Sequence, residues 1–323
     1  MKAGRMERKA HKRHLSTWAI IVLAVVCVAF CSVACSGGDA SAATGSAVST
    51  QQGPSAQSSG SYTPPSKLPM PDTSTVSDGI DASHANDGYV CAAKKSDARL
   101  KFQVTQGDAT YNYDMPNDGT PAVVPINLGD GSYRFRIMQN TEGSNYVEVD
   151  CVEQDVKLTS EFAPFLMPNL FCTYTESSQC VAKARELAKG CASEADAFKA
   201  VCTFITGNVV YDNEKAKKLA NGTGYIPNPD DTLKTKKGIC FDYASLGAAM
   251  LRSLGIPTKI VTGYVSPGDL YHAWIMVYVD GEWQTGEFSV SKDTWSRVDL
   301  TFAASGNTEF TGDGTSYTDR YIY

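Results

Sequence analysis

Three residues in chain order, Cys240, His272 and Asp299, bring together a thiol, an imidazole and a carboxylate. This is the minimum set for nucleophilic acyl chemistry. A cysteine attacks a carbonyl as the thiolate, a histidine takes and returns the proton, and a carboxylate orients the ring. The histidine count narrows the choice of base. Of four histidines, His11 and His14 lie in a basic N-terminal segment, and His84 stands at the start of the folded part, which leaves His272. Cysteine parity acts in the same direction. With Cys27, Cys31 and Cys35 set aside, Cys91, Cys151, Cys172, Cys180, Cys191, Cys202 and Cys240 remain, an odd number. Six paired cysteines in an oxidising exterior would leave Cys240 as the free thiol; the alternative is that several stay as buried thiols.

The elements that must position these groups are readable from pattern. Gly238-Ile239-Cys240 opens a helix expected over 240–254, with Ala244, Gly247, Ala248 and Leu251 on one stripe, Gly255 as its cap and Pro257 blocking continuation. A cysteine in a first helical turn meets unpaired N–H groups and the positive end of the dipole, which favour the thiolate. The same N–H groups suit an oxyanion. Asp242 counts against the thiolate as a nearby negative charge, screened if it points to solvent. Thr258–Val265 reads as a strand, and Ala273–Val279, the turn Asp280-Gly281 and Glu282–Thr285 read as a hairpin. Asp299 ends a third strand-like run from Trp295, where an aspartate is commonly a turn or cap residue. Upstream, Cys180–Lys189 is helical up to Gly190, Ser193 caps a second helix, and Asn221–Asp231 is a loop. Helices preceding an antiparallel sheet make this half α+β.

Gly-x-Cys240 at a helix start, Gly255-Ile-Pro257, Gly263-Tyr264, His272-Ala-Trp274 with Asp280-Gly-x-Trp283, and Trp295-x-x-x-Asp299-x-Thr301 together resemble the bacterial transglutaminase-like superfamily. The resemblance covers roughly residues 165–323. It implies a papain-like fold in which Cys240 is the nucleophile, His272 the general base and then acid, and Asp299 the orienting group. In many members the carboxylate follows the histidine by about fifteen residues, near the tryptophan closing the hairpin. Glu287 occupies that place here, so a segment from about Gln284 to Thr294 looks inserted. Asp299 is preferred because it keeps the Trp-x-x-x-Asp-x-Thr context, with Glu287 as its rival.

The rest of the chain bounds location and partners. Six basic residues precede an uncharged apolar run, Trp18–Ala34, and Ser32-Val33-Ala34-Cys35 resembles a lipobox, so residues 1–35 are expected to be a lipoprotein signal with lipidation at Cys35. An uncleaved membrane anchor is the alternative. Residues 36–79, rich in Ser, Ala, Gly and Pro, are expected to be a disordered tether. Short alternating runs such as Arg99–Val104 and Tyr133–Met138, separated by Gly-Asp turns, predict a β-rich, sandwich-like domain over 80–160, acting as a spacer, with a substrate-presenting module as the alternative. The transglutaminase-like domain occupies 161–323. The chain has 29 basic and 35 acidic residues; with one acidic and six basic in 1–35, the exported part holds 23 against 34, a balance of −11, which excludes a nucleic-acid binder. The cysteines and histidines lack metal spacing, so neither metal nor cofactor is expected. The expected function is an exported, membrane-tethered thiol enzyme acting on amide bonds of peptides or proteins, as peptidase, amidase or acyltransferase. A surface binding or adhesion module that retains the fold without turnover is the alternative.

Overall fold

Along Leu100–Gln106 and Ala109–Met115 buried side chains alternate with more exposed ones, and the backbone follows that period. The computed structural model describes residues 61–220, 222, 224–266, 269–280, 283–284, 289–306 and 317–323. Strands β1 (Gly79–Asp81), β2 (Tyr89–Ala93) and β5 (Ala122–Pro125) form one antiparallel sheet in the order β1-β2-β5. Strands β3 (Leu100–Gln106), β4 (Ala109–Met115), β6 (Gly131–Glu142) and β7 (Asn145–Val156) form a second, in the order β4-β3-β6-β7. Leu100, Phe102 and Val104 point to one face of β3, as its period of two requires, and join Val90, Tyr113, Val124 and Phe135 in a single apolar core.

The expected tether ends sooner than its composition suggests. From Ser61 to Ser77 the chain makes no helix or strand, yet it is held on the folded part. Tyr62 N–H donates to Cys191 O at 2.9 Å, Leu68 N–H donates to Glu176 Oε1 at 2.6 Å, and the Leu68 side chain is 2% exposed in the helical core. A few apolar residues seated in a preformed groove suffice, which the average composition of the segment conceals. Residues 1–60, with the expected export signal and Cys35, lie outside the described residues; among the described residues no helix is long and apolar enough to cross a membrane.

The second half packs helices against a sheet. Helix α1 (Gln179–Leu187) is followed by α2 (Glu194–Asn208), whose N-cap Ser193 accepts from Asp196 N–H at 3.1 Å as its sequence predicts. Strand β8 (Val210–Tyr211), α3 (Asn213–Leu219) and α4 (Pro229–Thr235) come next. The expected loop over 221–231 thus gives way at Pro229 to a helix capped by Asn228, a device hidden by the surrounding Gly and Pro. Strand β9 (Lys237–Gly238) leads into α5 (Cys240–Ser253).

Strands β10 (Thr258–Val265) and β11 (Leu270–Tyr278) then pair antiparallel. The expected hairpin after β11 does not form. Strand β12 (Trp283–Gln284) pairs with β13 (Ser289–Val290), and β14 (Trp295–Val298) takes the place beside β11. Strands β12 and β13 thus stand between β11 and β14 in sequence, in the stretch where the tryptophan spacing suggested a segment inserted from about Gln284 to Thr294. Helix α6 (Leu300–Ser305) and β15 (Tyr317–Ile322) complete an antiparallel sheet ordered β14-β11-β10-β15, so the fold is α+β.

Helix α5 is the axis of this half. Its residues from Asp242 to Ser253 are all buried, because the sheet covers one side and α1, α2, α4 and α6 the others. The one-sided stripe expected for it is therefore too narrow. Gly247 allows the closest approach: a Cβ there would lie 2.6 Å from Leu300 Cδ1 and 3.4 Å from Ile275 Cδ1. Arg252, fully buried, spends its guanidinium on backbone carbonyls of Met167, Thr258 and Tyr323 at 2.8–2.9 Å, joining three distant segments. Phe171 and Tyr323 pack against both apolar cores and seam them together.

The expected pairing of six cysteines is also overturned, since all seven described cysteines are free. Cys91, Cys172, Cys180 and Cys202 sit in apolar surroundings as small core residues. Burial pushes the thiol of Cys91 up to about 12 and that of Cys172 to about 11, so these groups stay protonated.

Candidate active site

Cys240 begins α5, His272 lies on β11, and Asp299 follows β14. Packing α5 against β11 and pairing β11 with β14 bring the three segments together, although 59 residues of sequence separate the first from the last. His272 Nε2 and Asp299 Oδ2 are 2.8 Å apart, and each residue is only 4% exposed. With Nε2 turned to the carboxylate, the remaining ring nitrogen is left for the Cys240 thiol, which lines the same cleft and is among the groups that raise the imidazole's pKa. Burial alone would lower the His272 pKa. The Asp299 and Cys240 hydrogen bonds and charges outweigh it and raise the value from 6.5 to about 10.

Asp299 serves two purposes at once. Its Oδ1 accepts from Thr301 N–H and Phe302 N–H, both at 3.0 Å, so it is the N-cap of α6. Its Oδ2 accepts from His272 and from the Tyr317 hydroxyl at 2.9 Å. The cap role expected of a lone aspartate and the orienting role thus fall to different oxygens of one carboxylate. Glu287 lies outside the described residues. His84, the other candidate base, pairs with Asp87 at 3.2 Å and stacks on Tyr89, within the N-terminal strands.

The imidazole is held flat as well as end-on. Phe302 stacks on it at 4.4 Å between centroids and 16° between planes. Tyr317 meets Trp274 edge-on at 4.9 Å while holding Asp299. Tyr317 reaches this place because β15 runs beside β10, and that closeness depends on Gly263. A Cβ at 263 would lie 2.0 Å from Thr318 O. Neither aromatic residue was legible as a site member. Phe302 was three residues past a recognised Asp, at the position a cap reaches, whereas Tyr317 carried no local signal.

The start of α5 is anchored by Asp242. The sequence reading weighed this carboxylate as a charge opposing the thiolate, screened by solvent; instead it is fully buried. Its Oδ2 accepts from Ile239 N–H at 2.8 Å and pairs with Lys215 Nζ at 2.7 Å, and its Oδ1 accepts from Tyr225 Oη. The charge is neutralised by Lys215 rather than by water. This arrangement explains the glycine of Gly-x-Cys, because a Cβ on Gly238 would lie 2.6 Å from Asp242 Cβ.

Cys240 and His272 open into a cleft of about 580 Å³. One wall comes from β4, through Asn112 and Asp114, and the other from Tyr211, α3 and the start of β11. The N-terminal strands were expected to be a spacer; they supply part of the site's surface.

A thiol at a helix start, sharing a cleft with a histidine that a buried carboxylate holds, defines a cysteine-dependent enzyme site in general outline. Residues 181–299, which include Cys240, His272 and Asp299, match the family model for the transglutaminase-like superfamily. A UPF0252 protein of Methanocaldococcus jannaschii is 33% identical over 88 residues, 25% of this chain and 25% of the relative. The kyphoscoliosis peptidase of Mus musculus is 30% identical over 101 residues, 28% of this chain and 15% of that protein. The matches thus span a quarter or less of these two relatives. The crystal structure of red sea bream transglutaminase is similar at 12% identity, over 71% of this chain and 50% of that one, with a TM-score of 0.30.

Proposed function

We propose that this chain is an exported, membrane-tethered thiol enzyme acting on amide bonds of peptides or proteins, with Cys240 as nucleophile, His272 as base and then acid, and Asp299 as the orienting group. The observation that carries the reading is the buried His272–Asp299 pair at 2.8 Å, which shares one cleft with the Cys240 thiol. The similarity of 101 residues to a mouse peptidase supports it.

In the proposed cycle His272 holds the thiol proton as imidazolium, and Sγ bonds to the amide carbon while the carbonyl π pair moves to oxygen. First-turn N–H groups of α5 are the donors nearest to that oxyanion. Collapse re-forms the carbonyl and breaks the C–N bond, and the imidazolium proton goes to the departing nitrogen. Water, losing its proton to His272, then displaces Sγ to give the acid; an amine in its place gives a new amide. The proton held by His272 returns to the thiolate. A silent binding module is the weaker reading, since Cys240 is a free thiol beside its base.

Incubation of the exported part and its Cys240→Ala variant with a peptide mixture, read by mass spectrometry, tests the proposal. Cleaved or amine-linked products from the parent and none from the variant are expected. Identical product lists would refute it. Tethering through Cys35 predicts lipid labelling and membrane recovery that Cys35→Ser abolishes; unaltered labelling and recovery would overturn that part.

A further inference from the structure

We infer that the substrate of this site is a peptide with a bulky apolar side chain next to the reacting carbonyl, seated against the lip formed by Tyr211, Leu270 and Tyr271. The inference rests on the reading of Cys240 as the nucleophile. Two independent features of the cleft carry it.

The first is what the cleft can satisfy. Around Cys240 its surface is largely Phe171, Phe241, Tyr225 and the three lip residues. Several polar side chains of the described lining already have partners. Asn112 Oδ1 accepts from Gln103 at 2.8 Å, Thr262 Oγ1 accepts from Tyr271 at 3.0 Å, and Asp114 is ion-paired to Arg99 at 3.3 Å. Besides the reacting pair Cys240 and His272, the described lining holds one side-chain carboxylate, Asp114, and no lysine or arginine. A charged substrate side chain would therefore give up its hydration without a fresh counter-charge, and a glutamine would leave its amide underpaired. An aromatic or large aliphatic group loses nothing on entry.

The second is exposure outside the cleft. Large apolar residues normally surface singly. Here Val210, Tyr211, Leu270 and Tyr271 are 64%, 40%, 54% and 49% exposed and lie in the two segments that border the thiol. Three of them, Tyr211, Leu270 and Tyr271, line the same cleft as Cys240, and exposed apolar side chains beside a reactive group suit an apolar ligand. The lip is also set in place beforehand: the Tyr271 ring meets Tyr264 edge-on at 5.3 Å, and its hydroxyl is fixed on Thr262. Little rotamer freedom remains to be lost on binding.

The test uses acetyl-dipeptide fluoromethyl ketones that differ only in the residue bearing the ketone, Phe, Gln or Asp. Cys240 Sγ displaces fluoride from each, forming an S–C bond, and the rate is followed by intact mass. Iodoacetamide, which lacks a side chain, reports separately on the reactivity of the thiol. We expect the Phe probe to react at least tenfold faster than Gln or Asp, and Leu270→Lys, which removes the apolar contact and supplies a counter-charge, to reduce the Phe-to-Asp ratio at least tenfold. Using a ratio within one protein removes any general effect of the exposed substitution. Fast alkylation by iodoacetamide with equal probe rates, or with Gln or Asp preferred, overturns the inference and spares the thiol-enzyme reading. Iodoacetamide reactivity at Cys240 no greater than that of a free cysteine overturns both.

Discussion

Asp299→Asn separates the two duties of one carboxylate. The asparagine oxygen can still accept from Thr301 and Phe302 N–H, and Asn caps a helix as well as Asp does, so α6 should persist. What disappears is the acceptor at 2.8 Å from His272 Nε2, together with the negative charge beside a ring that is 4% exposed. A hydrogen bond to a charged group contributes about 1.5–3 kcal/mol. With the charge lost in a dry site, the upper figure applies. At about 1.4 kcal/mol per tenfold, about 3 kcal/mol makes the imidazolium, and the thiolate that depends on it, about a hundredfold scarcer. The assay is the pseudo-first-order alkylation of Cys240 by iodoacetamide at pH 6, with thermal unfolding measured in parallel. We expect the rate to fall about a hundredfold and the melting temperature to drop at pH 6, where the lost ion pair contributed, but to match the parent's above about pH 10; Asp299→Ala should add a loss of about 1 kcal/mol for the missing cap. An Asp299→Asn protein alkylated as fast as its parent would show that the carboxylate does not hold the base in its charged form.

Other perturbations probe the scaffold. Because the His272 pKa is raised from 6.5 to about 10, its contribution to stability is fully present below about pH 6.5 and is lost as pH climbs through about 10. Chemical denaturation of the parent should show a decline across that window that is shallower in Asp299→Asn, and parallel curves would contradict the assignment. Lys215→Ala leaves the buried Asp242 carboxylate without its cation; since the lysine is partly exposed, water moderates the loss to about 1–3 kcal/mol in urea titrations. Unchanged stability there would mean that Tyr225 and Ile239 suffice. Gly263→Ala forces a Cβ onto Thr318 O, so we expect a loss of at least about 3 kcal/mol and, with Tyr317 displaced from Asp299, slower alkylation of Cys240. A stable, fully reactive variant would sever β15 from the site.

How much of this was legible depended on how local each signal was. The start and stop of α5, the Ser193 cap and the strand Thr258–Val265 were written in adjacent residues, and all appear as read. Cys240 and His272 were recoverable because residue type and local pattern coincide there. Asp299 was legible only through the spacing of two tryptophans, and the pairing of β14 with β11 gives that spacing its physical cause. What failed required long-range knowledge. Composition made residues 61–78 look like tether, but Leu68 and Tyr62 find partners more than 100 residues away. Tyr317 and Lys215 act on residues in other elements, and charge counting could not tell that Asp242 would be buried beside a lysine.

The free core cysteines have a consequence beyond packing. A thiol nucleophile works only while reduced, and conditions that keep it so would also dissolve any disulfide on which a fold relied. Here Cys172, Cys180 and Cys202 contribute as apolar filling, sealed from solvent and held protonated by burial. Reductant can therefore restore Cys240 without loosening the helices around it. An oxidant or electrophile arriving from solution finds the thiol of the cleft before those of the core. Chemical reactivity and mechanical integrity have been assigned to different cysteines of one chain.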